Sequence, residues 1–450
     1  MRSSLSFPFP SLAESVLADV CDGRCVSVYG LSNGGKSTLL RALATPQGEQ
    51  AYTAATGRTA AFVYVDCNRA VAISAQAFYE VVLRSLLERL GTTLDGQLSE
   101  TVRQHYQALT SADSSFTASL SFNLALTELC HRLGSDLALL LDEVDEIFGA
   151  LESRALLNLR ALRDLYQHHL VYVTATLRPL PELHGQDVEG EFSEMFDRST
   201  YPMPLLNDQE ATHLLDGLGL PRLTPARRRA LQRMAGGHPG LLVALAQAVS
   251  SLPESVGTES LSRTSLEPQP RAECLKLWSQ LTGEERACLM TLTVDAESRL
   301  RPQDLRHLEA LNILRDGRFF SPTFAEFVAA RSKAGASDLQ GVHLDPDSGD
   351  VWVDGIRIPV LTDLEFRLLK LLHSRRDRLT DKFRIVTEVW GEGYLEEVDD
   401  ARIEKLVSRL RGKIESDPAS PLYLVTQRGR GYKLLSRPRA GTCPTPPPPG

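Results

Sequence analysis

The sequence lacks three features that would each indicate a particular class of protein. Its seven scattered cysteines contain no C-x-x-C pair, so neither a disulfide framework nor a zinc site is predicted. No apolar run approaches the roughly 18 residues that a membrane-spanning helix requires. The N-terminus, where Arg2 is followed by serines, prolines and isolated apolar residues, has no signal-peptide pattern. We therefore expect a cytoplasmic protein with reduced thiols and no membrane contact.

The chain also lacks an excess of positive charge. Its formal net charge is −8, so any affinity for nucleic acid must come from a local basic patch. A length of 450 residues corresponds to about three domains, and a content of 42% apolar residues can fill several cores.

A glycine-rich segment near the N-terminus has the spacing of a phosphate-binding loop. An apolar, β-favouring run ends at Gly30, and Gly35, Lys36 and Ser37 follow after four intervening residues, before a helical pattern. The spacing G-x-x-x-x-G-K-[ST] lets backbone N–H groups surround phosphates, with Lys36 reaching the β- and γ-phosphates and Ser37 on Mg²⁺. A glycine-rich turn with a chance lysine is the alternative. The predicted nucleotide contacts here are Gly30, Asn33, Gly34, Gly35, Lys36, Ser37 and Thr38.

A second segment supplies acids at the end of an apolar strand. Residues 137–145, LALLLDEVD, predict a central strand that ends at Asp142 and Glu143. We expect Asp142 to share Mg²⁺ with Ser37, and Glu143 to orient the attacking water, so that Lys36, Asp142 and Glu143 are the candidate catalytic residues. Taken alone, such a pair more often marks a turn or a helix start.

The next apolar run, 170–176, predicts another buried strand ending in a hydroxyl. Thr176 could report on the γ-phosphate and Arg178 could reach the same charge. A capped strand end with a surface arginine is an equally good interpretation.

The pattern along the chain predicts an α/β core followed by smaller domains. The core spans 1–204, a helical lid 205–252, a linker 253–269 and a helix-rich adaptor of winged-helix type 270–334. A second linker is expected at 333–338, a C-terminal domain at 340–437 and a disordered proline-rich tail at 438–450.

The first 250 residues resemble the AAA+/STAND group of P-loop ATPases, in its origin-recognition-like branch. The matching segments are GLSNGGKS at 30–37, LALLLDEVD at 137–145, VTATLR at 173–178 and GGHPGLL at 236–242. The resemblance implies a P-loop NTPase core, ATP with Mg²⁺ as cofactors, and Pro239 close to the adenine. It also implies that the adaptor packs on the nucleotide domain. Arg178 follows Thr176 by two residues, whereas signalling members often place arginine directly after the hydroxyl.

The C-terminal domain concentrates positive charge. Residues 402–437 contain nine basic and three acidic residues, a net charge of +6. Arg402, Lys405, Arg409 and Lys413 recur on one helical face, which suits a helix in the major groove, and a solvated basic helix is the alternative. The predicted DNA contacts are these four residues, Arg411 on the same helix, and Arg428 and Arg430 in a glycine-rich turn.

The same domain resembles the winged-helix effector domain of OmpR/PhoB-family transcription regulators. The segments are LTDLEFRLLKLL at 361–372, EVWGEGY at 388–394, ARIEKLVSRLRGKIE at 401–415 and TQRGRGYKLL at 426–435. The chain shows no receiver domain with a phosphorylatable aspartate, so the signal is expected through ATP or a partner.

These patterns together predict a nucleotide-switched, sequence-specific DNA-binding transcriptional regulator that hydrolyses ATP slowly. Double-stranded DNA is the expected partner, and self-association on DNA or on ATP binding and contact with RNA polymerase are further candidates. Two alternatives stay open. One is a DNA-stimulated remodelling or loading ATPase, and the other is an oligomerising stress or anti-phage signalling ATPase.

Overall fold

The structure is a computed structural model that divides into two compact units. The first comprises residues 1–280 and 299–327, and the second 281–298 and 328–450. The described residues are 7–183, 190–220, 223–250, 267–294, 302–338, 341–344, 351–353, 356–358, 361–391, 400–415, 418, 420–427 and 430–436. The predicted tail at 438–450 and most of the predicted linker at 253–269 lie outside them.

A five-stranded parallel sheet lies at the centre of the first unit. The strands are β1 (Val26–Tyr29), β2 (Ala60–Asp66), β3 (Asp136–Asp142), β4 (Leu170–Thr176) and β5 (Thr200–Pro202), in the order β2-β3-β4-β1-β5. The ends align in register, with Asp66 opposite Asp142 and Tyr29 opposite Thr176. The carboxyl ends of β1, β3 and β4 therefore lie along one edge, where loops can converge on a ligand.

Helices cover both faces of this sheet, as the buried apolar strands require. The helices in the α/β part are α1 (Pro10–Cys21), α2 (Lys36–Leu43), α3 (Pro46–Thr56), α4 (Ala75–Leu90), α5 (Gly96–Thr110), α6 (Ser115–Arg132), α7 (Asp145–Ala150), α8 (Ser153–Tyr166) and α9 (Gly190–Ser193). Helices α4, α5, α6 and α8 contribute to one apolar core, and α1, α2 and α3 to the other. The predicted P-loop NTPase architecture is confirmed.

Three helices follow the sheet, as predicted for the lid. They are α10 (Asp208–Gly217), α11 (Pro225–Ala235) and α12 (Pro239–Ser250). A capping box between Asn207 and Glu210 begins α10. Pro225 and Pro239 stand at the first positions of α11 and α12, where a missing N–H costs no hydrogen bond.

The adaptor residues are divided between the two units. The chain continues with α13 (Pro268–Ser279), α14 (Gly283–Val294), α15 (Pro302–Ala310), the hairpin of β6 (Leu314–Arg315) and β7 (Arg318–Phe319), and α16 (Pro322–Asp338). Helix α13 and the segment from α15 to β7 belong to the first unit, whereas α14 belongs to the second. The second linker, predicted at 333–338, lies within the last turns of α16, since only one glycine interrupts a run of helix-compatible residues.

Besides α14 and the end of α16, the second unit contains a small antiparallel sheet, three helices and a C-terminal hairpin. Strands β8 (Val342–Leu344), β9 (Val351–Val353) and β10 (Ile356–Arg357) form the sheet, α17 (Asp363–Ser374), α18 (Lys382–Val389) and α19 (Asp400–Ile414) follow, and β11 (Leu424–Gln427) pairs with β12 (Gly431–Leu434). One apolar core joins these elements, with Leu368, Ile385, Leu410 and Leu434 fully buried. The predicted winged-helix arrangement is confirmed.

Within the described ranges, the helices are either too short or too polar to cross a lipid bilayer.

Candidate functional site

The phosphate loop connects the end of β1 to the start of α2. Gly35 has a φ of 105°, a left-handed conformation that favours glycine. A Cβ there would lie 2.5 Å from a ring carbon of Phe9, so the loop packs too closely against this ring for any side chain. The sequence G-x-x-x-x-G-K therefore folds into a narrow backbone cradle at the sheet edge.

Lys36 is turned inward onto this loop. Its Nζ donates to the carbonyl oxygens of Gly30, at 2.6 Å, and Leu31, at 3.3 Å. Burial lowers the pKa of Lys36, and the acids at the sheet edge act in the opposite direction. Within the described part of the chain, this buried ammonium is held by two neutral carbonyls and makes no ion pair, and a phosphate would supply the opposite charge.

The acids predicted at the end of β3 lie on the same edge. Asp142 is buried and accepts a hydrogen bond from the Tyr64 hydroxyl at 2.6 Å and one from the Glu143 N–H at 3.1 Å. Glu143 has a φ of 54°, an uncommon conformation for a non-glycine residue. Burial raises the pKa of Glu143, and Lys36 lowers it in part.

The first turn of α2 provides the predicted hydroxyls. Ser37 is half-buried and Thr38 is exposed. In the described ranges, no group of three or more His, Cys, Asp or Glu side chains could form a metal cage. One hydroxyl with one carboxylate, Ser37 with Asp142, is instead the pattern suited to Mg²⁺ shared with phosphates.

The structure gives Thr176 and Arg178 protein partners. The Thr176 hydroxyl donates to the Arg178 carbonyl at 2.7 Å. The Arg178 guanidinium lies 2.9 Å from Nε2 of His307 and donates to the Gln280 carbonyl at 3.1 Å. The expectation that these two side chains contact a phosphate stays a prediction, and such a contact would have to replace these protein partners.

Pro239 lies beside the phosphate loop, at the start of α12. It lines a largely apolar cleft together with Gly30, Leu31, Gly34, Met203, Pro204, Leu205, His238, Leu311, Asn312, Ile313 and Phe320. His238, which looked like a simple turn residue in the sequence, is buried and accepts from the Leu241 N–H through Nδ1. Burial lowers the pKa of His238 to about 4, so the ring is neutral at physiological pH. The cleft has room for about one water molecule, so the expected position of Pro239 close to the adenine stays a prediction.

The exposed tip of the loop contacts a helix that the sequence reasoning did not connect with it. The Asn33 side chain donates to Glu273, and the Ser32 N–H donates to the side chain of Gln280 at 2.9 Å. The sequence also did not predict the contact of Tyr64 with Asp142, because each of these contacts joins residues far apart in the chain. Only Tyr64 has a weak local indication of a role at the site, because it lies two residues before the end of an apolar, strand-favouring run, 60–66.

A basic surface is formed by α19 in the second unit. Its apolar face is buried through Ile403, Leu406, Val407, Leu410 and Ile414. Arg402, Lys405 and Arg409 are exposed. Their spacing places them on the side opposite to the buried stripe, where a groove of duplex DNA could be reached.

Two predicted DNA contacts instead hold the domain together. Arg411 donates to the Leu424 carbonyl at 2.9 and 2.7 Å and to the Thr426 hydroxyl at 2.7 Å. Lys413 donates to Glu365 at 2.7 Å. The charges of Arg411 and Lys413 therefore face β11 and α17, and their contact with DNA stays a prediction.

The hairpin between β11 and β12 carries the remaining predicted contacts. Gln427 pairs with Gly431, and the Arg430 N–H donates to the Gln427 carbonyl at 2.9 Å, which closes a tight turn. Arg430 is exposed in this turn. Arg428 lies outside the described residues.

Comparison with known protein families assigns both regions. Residues 11–174 match the model of an AAA ATPase domain, and residues 359–434 match the model described as "Transcriptional regulatory protein, C terminal". The chain joins an AAA ATPase domain to a C-terminal domain of OmpR/PhoB type. The AAA ATPase domain is a nucleotide-binding domain, and it contains the phosphate loop, Tyr64, Asp142 and Glu143.

Curated relatives match the C-terminal domain. An uncharacterized transcriptional regulatory protein, YrkP, of Bacillus subtilis is 36% identical over 93 residues, which is 21% of this chain and 39% of that protein. The sensory transduction protein RegX3 of Mycobacterium tuberculosis is 41% identical over 93 residues, 21% of this chain and 40% of that protein. The chain thus spans about two fifths of the length of these relatives.

Among solved structures, the Walker-type ATPase of Pyrococcus abyssi is similar over 73% of this chain and 97% of that one. The sequence identity is 14% and the TM-score is 0.45.

Proposed function

We propose that this protein is a DNA-binding transcriptional regulator whose affinity for duplex DNA is controlled by ATP and Mg²⁺. The observation that carries the proposal is the presence, in one chain, of a phosphate loop with a buried lysine and of an exposed basic helix. Among the described residues of the first unit, Lys36 has backbone carbonyls as its hydrogen-bond partners, and Arg402, Lys405 and Arg409 are exposed in the second unit. We assign the protein to the cytoplasm, where DNA and ATP are both present.

In the nucleotide site, each side chain has a defined task. The backbone of Gly30–Gly35 would surround the phosphates, and Lys36 would move from the loop carbonyls to phosphate oxygens. Ser37 and Asp142 would hold Mg²⁺, which neutralises charge between the β- and γ-phosphates. Tyr64 fixes the Asp142 carboxylate by its hydrogen bond at 2.6 Å.

Glu143 is the residue placed to orient a water molecule. Its left-handed backbone is stabilised by the hydrogen bond from its own N–H to Asp142. Such strain in a non-glycine residue costs about 1 kcal/mol or more and is concentrated at functional sites. Since burial raises its pKa, the carboxylate is a better proton acceptor than an exposed glutamate. Slow ATP hydrolysis would then reset the regulator.

In the second unit, α19 would enter the major groove with Arg402, Lys405 and Arg409. Arg430 and Arg428 would contact phosphates or the adjacent minor groove from the hairpin. Two copies bound at paired half-sites would gain affinity through avidity, and contact with RNA polymerase would follow on the promoter. Control by nucleotide requires that ATP and ADP favour different arrangements of the chain.

The proposal is tested by measuring duplex DNA affinity of the full-length protein, on sites selected from random sequence. We expect affinities with ATP and with ADP, each with Mg²⁺, to differ by roughly tenfold. In Lys36→Ala the two affinities should become equal. Arg103→Ala, which removes an exposed charge from α5, serves as the control and should behave like the wild type.

Two outcomes would contradict this proposal. Equal affinities with ATP and ADP in the wild type would remove the nucleotide control, and a persisting difference in Lys36→Ala would show that the phosphate loop is not its source. ATP turnover with and without duplex DNA separates the regulator from a remodelling ATPase. Slow turnover that is indifferent to DNA agrees with a switch, and strong stimulation by DNA favours remodelling.

A further inference from the structure

One face of α13 lies against the tip of the phosphate loop. Glu273, Lys276 and Gln280 are spaced by three and four residues and therefore share this face. Asn33 donates from Nδ2 to both carboxylate oxygens of Glu273, at 3.0 and 2.9 Å. Lys276 donates from Nζ to Oδ1 of Asn33 at 3.4 Å, and the Ser32 N–H donates to Gln280 at 2.9 Å.

A third element closes the arrangement around Asn33. The N–H of Gly240, in the first turn of α12, donates to the Asn33 carbonyl at 3.1 Å. A Cβ on Gly240 would lie 2.4 Å from a Glu273 carboxylate oxygen and 2.5 Å from the Asn33 Cβ. Loop, α12 and α13 therefore meet at a spacing that only glycine allows, and the contacts of α13 are specific.

The charge of Lys276 reaches the centre of the nucleotide site. Burial is the main cause of the raised pKa of Glu143 and of the lowered pKa values of Lys36 and His238, and the charge of Lys276 makes a smaller, lowering contribution to each. Its ammonium is exposed and is carried on a flexible stem. Glu273, beside it, is half-buried, and burial raises its pKa.

Two other cations at this edge, both in the described part of the chain, are already held by protein groups. Lys36 lies deep in the loop, and Arg178 is held by His307 and the Gln280 carbonyl. Helix α12, which runs from the cleft, contains no lysine or arginine. A triphosphate carries more negative charge than Lys36 and Mg²⁺ balance, so a further cation on the α13 side would be stabilising.

We propose that Lys276 is a second phosphate-binding cation. Its ammonium breaks the hydrogen bond to Asn33 and binds the terminal phosphate of ATP, and the carboxylate of Glu273 repels that phosphate. This inference rests on the proposed ATP site. Because ADP lacks the terminal phosphate, Lys276 distinguishes ATP from ADP. The end of the same face, Gln280, directly precedes Leu281, the first residue of the second unit, so the chain itself connects this response to the DNA-binding half.

The test compares ATP and ADP affinities of full-length variants by competition against a fluorescent nucleotide. Lys276→Met should weaken ATP binding at least fivefold and leave ADP binding within about twofold, because only the contact with the terminal phosphate is lost. Lys276→Arg should retain ATP affinity. Glu273→Gln should strengthen ATP binding roughly two- to threefold, since a repulsive charge is removed.

The matched control is Arg271→Met. Arg271 is exposed on α13, about 140° around the helix from Lys276, so its loss should leave both affinities unchanged. An unchanged ratio of ATP to ADP affinity in Lys276→Met, or equal losses for both nucleotides, would overturn the assignment. The opposite sign expected for Glu273→Gln cannot arise from damage to the fold.

Failure of the inference and failure of the proposed function give different results. If the wild type and Lys36→Ala bind neither nucleotide, both proposals fall. If the wild type binds both nucleotides, Lys36→Ala binds neither, and Lys276→Met is indistinguishable from the wild type, only the role of Lys276 is overturned.

Discussion

Replacing Lys413 by methionine should destabilise the second unit and leave its DNA contacts in place. Lys413 was a predicted DNA contact, yet its Nζ donates to Oε2 of Glu365 at 2.7 Å. The Glu365 side chain is only 4% exposed, and it also accepts a hydrogen bond from the Thr362 N–H at 2.8 Å, at the start of α17. Without Lys413, a buried carboxylate loses its positive partner.

The size of the effect follows from that geometry. A hydrogen bond to a charged group is worth about 1.5–3 kcal/mol, and Lys413 is partly exposed, so a loss of about 2 kcal/mol is expected. For a domain of this size, a urea m-value of about 1 to 2 kcal/mol per molar places the midpoint shift at roughly 1 to 2 M.

The loss should depend on pH. Burial alone would raise the pKa of Glu365, but the hydrogen bonds from Lys413 and Thr362 outweigh it, so the net pKa lies below the ordinary value of 4.5. A lowered pKa in the folded state stabilises the fold above pH 4.5, and this stabilisation disappears as the pH falls through the folded-state value. Wild type and Lys413→Met should therefore differ fully at pH 7 and converge in acid.

Hydrogen–deuterium exchange in α17 and α19 at increasing urea isolates the unfolding of this unit. Lys370→Met, which removes an exposed charge from α17, is the control and should shift nothing. The salt dependence of DNA binding should be the same in Lys413→Met as in the wild type. An unchanged midpoint together with a salt slope reduced by about 1 would mean that Lys413 contacts a DNA phosphate, and our reasoning would be refuted.

Four further substitutions test the two sites. Lys405→Ala and Arg409→Ala should each weaken duplex binding and reduce its salt slope by about 1 per lost phosphate contact, with no change in thermal stability. An altered melting temperature without a change of slope would count against surface contacts. Tyr64→Phe removes the hydrogen bond that orients Asp142. In an ATP-binding assay, the Mg²⁺ concentration that gives half-maximal binding should therefore rise several-fold, and the ATP affinity at saturating Mg²⁺ should be retained. Glu143→Gln should retain ATP and slow its hydrolysis roughly 100-fold in a phosphate-release assay, and an unchanged rate would exclude Glu143 as the group that orients water.

Local patterns predicted much of the fold. The apolar runs predicted β1, β3 and β4 because a strand buried on both faces must be continuously apolar. Thr362 and Glu365 have the spacing of a capping box, which indicates a helix start, and the structure has the corresponding hydrogen bond. Helix α5 was missed, although Asp95 caps it and Leu98 and Val102 are buried at helical spacing. Its polar composition concealed a narrow apolar stripe.

The sequence predicted the motif residues of the candidate nucleotide site but not the residues that pack around them. Gly30–Ser37 follow one another in sequence, so their spacing alone carries the chemistry. Asn33 and Glu273 are separated by 240 positions, and no local pattern indicates that they touch.

The order of residues along the chain thus determined the phosphate loop, the acids that follow β3 and the basic face of α19, because each depends on neighbours within one turn or one strand. Tertiary structure alone decided what each charge faces. It turned Lys413 towards Glu365, held Arg178 against His307 and brought α13 onto the phosphate loop. The physical reason is that the burial and the partners of a side chain depend on the groups that packing brings from distant parts of the chain. Those groups decide whether a lysine binds a carboxylate of the protein or remains exposed and able to bind a phosphate.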